Sequence, residues 1–188
     1  MRLVILGPTY PYRGGIAHYT TLLAHALAAR HTVVFLTFVH QYPRRLFPGR
    51  SDRDPSARPV QTPAERILAP LRPWTWWRTA RRAAAADPDL VLIQWWVPFW
   101  APSVATVAWL LRRWTRARIV FVCHNVLPHD GGGPGVRALV RLALGRGDAF
   151  ILHSDADARA LAELLPRVPP GAVHRALLPA HTIAPQAG

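Results

Sequence analysis

Apolar residues follow two rhythms along the chain. Short unbroken runs at 3–6, 90–93, 119–122 and 149–152, with a β-branched and aromatic run at 32–38, predict strands covered on both faces, as in a parallel sheet, and a last strand is expected near 173–178. Between them, apolar positions recur at helical spacing, as with Ile16, Tyr19, Leu23 and Leu27, and predict helices over 15–30, 74–86, 103–115, 135–144 and 155–165. Ser154 is placed to cap the last of these, with Asp157 in its first turn. The segment 40–73 is rich in Pro and Arg and has no period, so a long, mobile surface insertion is expected there. Residues 90–111 carry no formal charge over a length able to span a bilayer, but Gln94, Pro98, Pro102, Ser103 and Thr106 break the run into strand, loop and helix.

Strands alternating with helices of this length require right-handed crossovers, hence a Rossmann-like, doubly wound parallel α/β sheet. The 188 residues suffice for one such domain, expected over 1–180, with 181–188 as tail or the start of an interdomain linker. Ligands bind such sheets beyond the carboxyl ends of the strands, which singles out the loops 7–15, 94–98, 123–133 and 153–155.

Charge alters this picture in one respect. The chain has 23 basic residues against 10 acidic ones, a formal net charge of +13, and every basic residue other than histidine is Arg. Such a surface attracts nucleotide diphosphates, anionic lipid or nucleic acid. Cys123 is the only cysteine, which rules out a disulfide framework within the chain. The apolar run after Met1-Arg2 is shorter than a signal core, and a cytoplasmic location is expected.

Four constellations could carry chemistry. The loop after the first strand ends in Gly14-Gly15 at a helix start, where bare backbone can approach phosphate or sugar hydroxyls, or can simply turn the chain. It is neither a dinucleotide fingerprint nor a P-loop. After the fourth strand, Cys123-His124-Asn125 leads to His129-Asp130, the densest polar cluster; His124 could stabilise developing charge, while Asn125, His129 and Asp130 could bind hydroxyls. A metal held by His124, His129 and Asp130 is the rival reading, and a purely structural loop is another. Gln94-Trp95, at the end of the third strand, could face a sugar ring, although core packing is the commoner use of such aromatics. Trp76, Trp77, Arg81 and Arg82 combine indole and guanidinium as a surface resting on anionic lipid would; an ordinary helix with a solvated basic face is the equal alternative.

The ordered set Pro11-Tyr12-Arg13-Gly14-Gly15-Ile16-Ala17, Asp87-Pro88-Asp89-Leu90-Val91, Cys123-His124-Asn125 and Phe150-Ile151-Leu152-His153-Ser154 resembles the N-terminal domain of the retaining family 4 glycosyltransferases of the GT-B fold. The resemblance implies an acceptor-side domain of an enzyme that moves a sugar from a nucleotide-sugar donor to a glycan or lipid-linked acceptor with retention. Gly14 and Gly15 would face the donor, and His124 would be catalytic, beside the transferred sugar. It implies no required metal or other cofactor, and the spread of the arginines through the whole chain, without a concentrated stripe, argues against a nucleic-acid partner. The paired glutamates of the family's donor-binding domain have no counterpart, since the chain has only Glu65 and Glu163. A C-terminal domain in cis or in trans is therefore expected, and this chain alone is expected to be inactive. Polysaccharide biosynthesis at the inner face of the cell membrane would suit such an enzyme; a non-catalytic basic module binding membrane or nucleic acid is the alternative.

Overall fold

The computed structural model describes residues 1–41, 61–128 and 131–176. Seven strands, β1 (Arg2–Leu6), β2 (Thr32–Phe38), β3 (Glu65–Leu68), β4 (Leu90–Trp95), β5 (Arg118–Cys123), β6 (Ala149–Leu152) and β7 (Val173–Arg175), form one sheet in the order β3-β2-β1-β4-β5-β6-β7. Every neighbouring pair is parallel. The α/β, doubly wound architecture expected from the alternation is the one present.

The helices are α1 (Gly15–Ala28), α2 (Pro73–Ala85), α3 (Ala101–Trp114), α4 (Pro134–Leu144) and α5 (Asp155–Leu164). Because β2 and β3 lie on one side of β1 and β4 to β7 on the other, right-handed crossovers place α1 on one face of the sheet and α2 to α5 on the opposite face. The cores follow that division. Ile5, Phe35, Leu92 and Val122 pack with Ala24 of α1, whereas Val4, Ile93, Phe121 and Leu152 join the larger cluster with Ala83, Val107, Val140 and Leu161 of α2 to α5.

One expectation fails within 40–73. Residues 65–68 are not insertion but the edge strand β3, paired with β2 through Leu36 to Glu65 and Thr37 to Arg66. Its charged first half hid it from the apolar pattern, yet an edge strand needs only one buried flank and tolerates such residues. Glu65 is also used by the fold: Arg82 of α2 forks onto it with contacts of 2.8 and 2.5 Å. The rest of that segment, 42–60, lies outside the described residues, as does the expected linker 181–188.

Candidate functional site

Register decides which residues reach the ligand-binding edge. Leu92 pairs with Val120, Gln94 with Val122 and Val122 with Ile151, so these side chains share the α1 face of the sheet. Continuing by twos, Gln94, His124 and His153 leave the ends of β4, β5 and β6 on that same face. Their neighbours in sequence, Trp95, Cys123 and Leu152, turn into the other core and are fully buried.

His124 stands at the centre. Its Nε2 is 2.7 Å from Gln94 Oε1. A carbonyl oxygen only accepts, so Nε2 carries the proton and the neutral ring keeps Nδ1 as an acceptor. Tyr19 of α1 meets the imidazole edge-on at 5.1 Å between ring centroids, and the His153 ring lies 5.2 Å away. Burial, reinforced by the neighbouring His153 and opposed by the Asp157 carboxylate, lowers the His124 pKa from 6.5 to about 4. The ring is therefore neutral at physiological pH.

The loop that follows is fastened from α5. Asp157 Oδ1 accepts the Val126 N–H at 2.7 Å, its Oδ2 accepts the Ser154 hydroxyl at 2.6 Å, and its own N–H donates to Ser154 Oγ at 3.0 Å. The expected cap thus also positions the stretch carrying His124 and Asn125. Replacing Asp157 by Ala should cost about 1–3 kcal/mol, since it removes a capping partner and leaves the Val126 amide without an acceptor. Urea unfolding would register the loss as a lower midpoint at unchanged slope.

Gln94 is held from below by Gly7, where the chain leaves β1. A Cβ built on Gly7 would lie 2.4 Å from Gln94 Cγ and 3.2 Å from Thr20 Cγ2. Only glycine allows this approach. Gly14, the residue before α1, has φ 117°, and it and Gly15 are exposed with no side chain to cap the helix. Free amides at that helix start are open to an anion or a hydroxyl.

Asn125 is half-buried on the same loop, and His129 and Asp130 lie outside the described residues. Trp95 is enclosed, with Nε1 3.4 Å from Val126 O, so in this structure it packs the core beneath the loop and offers its ring to no ligand. Of the Trp/Arg set, Trp76 is half-buried and donates to Ala69 O at 2.9 Å, and Arg82 is committed to Glu65, whereas Trp77 and Arg81 are exposed.

Two site residues escaped the sequence reading. Tyr19 figures only among the positions at helical spacing that predict the first helix, and His153 only within the strand-end loop 153–155, with no role assigned to either side chain. His153 Nδ1 donates to Ala176 O at 2.8 Å, leaving Nε2 buried beside His124; like Gln94 Nε2, that atom has no hydrogen-bond partner among the described residues. No group of three or more His, Cys, Asp or Glu able to hold a metal occurs among the described residues. A groove elsewhere, on the α1 side toward the opposite strand ends, between Leu90, Arg118, Ile151 and His174, does not include His124.

A sequence model of Glycosyltransferase Family 4 matches residues 13–176. No curated protein sequence matches the chain. Among solved structures, the chain is similar to UDP-N-acetylglucosamine 2-epimerase from Rickettsia bellii (TM-score 0.61, 10% identity, 93% of this chain and 44% of that one). It is also similar to an alpha-glucosyltransferase in complex with UDP and a 13-mer DNA containing a HMU base (0.58, 15%, 93% and 42%). A third is Anabaena Alr3699/HepE in complex with UDP (0.57, 13%, 94% and 44%). At these identities the likeness is one of fold, and the chain spans less than half the length of each.

Proposed function

Since the chain belongs to Glycosyltransferase Family 4, we propose that it is the acceptor-side domain of a retaining enzyme that transfers a sugar from a nucleotide sugar to a glycan or lipid-linked acceptor. A donor-binding domain, in cis or in trans, completes the cleft, and the chain is inactive without it. Solved structures of the same fold are bound to UDP, which supports a nucleotide-diphosphate donor.

The observation that carries this reading is the neutral His124, oriented by Gln94 where the strands end. Retaining transfer builds positive charge on the sugar ring as the bond to the leaving diphosphate breaks. A protonated imidazole there would repel that charge. A neutral one accepts a hydrogen bond from a sugar hydroxyl at Nδ1, or turns its lone pair toward the developing cation, and so stabilises the transition state more than the ground state. Gly14 and Gly15, before the first turn of α1, offer backbone amides to the donor phosphates without side-chain obstruction. Asn125 orients the acceptor or sugar hydroxyls on the same side, and no metal is required by this scheme.

The test is reconstitution. The chain joined to, or mixed with, its donor-binding domain should release nucleoside diphosphate from one of a panel of UDP- and GDP-sugars only when acceptor is present, and proton NMR of the product should show the donor's anomeric configuration. An inverted product would remove the retaining scheme and the role given to His124; failure with every donor, together with no saturable nucleotide binding, would remove the transferase reading.

A further inference from the structure

Helices α2 and α3 lie side by side on the face of the sheet away from α1, and their outward surfaces repeat one pattern. Trp74 is followed four residues later by Arg78, Trp77 by Arg81 and Trp109 by Arg113. At 3.6 residues per turn, Trp74, Trp77, Arg78 and Arg81 fall within about 100° of arc on α2. All are exposed: Trp74 by 60%, Trp77 by 46% and Trp109 by 47%, with Leu71, in the turn before α2, at 63%. Buried tryptophan packs cores, whereas three exposed indoles, each followed one helical turn on by an arginine, need another explanation.

The packing of α2 leaves Trp74 and Trp77 outside the core. Its inner face is already satisfied by Thr75, Thr79, Ala80 and Ala83, with Trp76 tucked against Ala69. No acidic residue occurs between Pro73 and Ala85, and among the described residues no carboxylate lies within 4.0 Å of Arg78 or Arg81. The Arg81 guanidinium instead lies 5.1 Å over the Trp77 ring. An indole flanked by an uncompensated cation matches the interfacial layer of an anionic bilayer, the ring among the glycerol groups and the cation on the phosphates.

We propose that the outer face of α2 and α3, centred on Leu71, Trp74, Trp77, Arg78, Arg81, Trp109 and Arg113, docks the protein on an anionic membrane surface. The contact is peripheral, since no helix among the described residues is long and apolar enough to cross a membrane. The proposal revises the sequence-based set: Trp76 and Arg82 drop out because the protein itself occupies them, and Trp74, Arg78, Trp109 and Arg113 enter. It stands independently of sugar transfer.

Flotation of the full chain with phosphatidylcholine vesicles, with and without about 30% phosphatidylglycerol, tests it. The chain should float with the anionic vesicles only, release as salt rises toward about 0.5 M, and show tryptophan emission quenched by brominated acyl chains. W74S/W77S/W109S and R78E/R81E/R113E should each lower the bound fraction at least about tenfold. If a triple variant fails to fold, Trp77→Ser and Arg81→Glu, at exposed positions, should each weaken binding about fivefold. Absence of flotation at low salt, or flotation indifferent to both sets of substitutions, overturns the proposal. So does tighter binding to a short DNA duplex that the arginine variant loses and the tryptophan variant keeps, which would reassign the face to nucleic acid.

Discussion

Replacing His124 by Ala in the reconstituted two-domain enzyme should lower kcat by about 10²–10³-fold, the usual cost of deleting one preorganised polar group at a developing charge. Donor affinity should change little if, as proposed, the diphosphate is held mainly by the donor-binding domain. The separation of kcat from donor binding is the diagnostic feature, as a group that bound donor and transition state equally would raise KM instead. His124→Gln keeps a polar group without the imidazole geometry and should recover only part of the rate. Unchanged turnover in the alanine variant would remove His124 from the reaction.

The same residue sets a pH signature. Its pKa is lowered from 6.5 to about 4 in the folded chain, chiefly by burial. Between those values the unfolded chain binds a proton that the folded chain refuses, so the His124 contribution to stability is intact above pH 6.5 and declines as pH falls through that window toward 4. Denaturant midpoints measured at pH 7 and near the lower end should differ, and His124→Gln should flatten that difference. Activity should likewise survive mild acid and fail only where the ring becomes charged.

How much of this was legible in the sequence follows from what patterns encode. The alternation of apolar runs and helical periods gave the parallel sheet, because each strand is covered on both faces and each crossover needs a helix. The same covering concealed the site's inner geometry. When both faces of a strand are apolar, nothing in Leu90 to Trp95 says whether Gln94 or Trp95 points toward the loops; the pairing of Gln94 with Val122 decides it, and that is a property of the folded sheet. Tyr19 fits a core stripe and His153 a strand-end motif, so their meeting around His124 depends on distances between elements far apart in sequence. The strand β3 was lost for the opposite reason: Glu65 and Arg66 look like solvent, although an edge strand needs only one partner and Glu65 anchors α2 through Arg82.

Gly7→Ala should destabilise the fold by about 1–3 kcal/mol, the range for forcing an extra methyl into a packed interior. The new Cβ would lie 2.4 Å from Gln94 Cγ, 3.1 Å from Gln94 Cβ and 3.2 Å from Thr20 Cγ2. Gln94 is fully buried and its Cβ is fixed to β4, so the clash cannot be relieved by swinging a free end into solvent. Nor can the backbone of Gly7 readily retreat, as its N–H donates to Leu36 O at 3.2 Å and ties the end of β1 to β2. The side chain that must move is the one holding His124 at 2.7 Å, so turnover should fall together with the melting temperature. For a domain of this size the latter should drop by roughly 2–4 °C per kcal/mol. A double-mutant cycle separates the two effects. Gln94→Ala alone opens a void and releases His124, but in the Gly7→Ala background it also relieves the collision, so the double variant should be more stable than the sum of the singles by at least about 0.5 kcal/mol. Additive losses would mean that Gly7 and Gln94 do not share this contact, and the account of how His124 is oriented would fall with it.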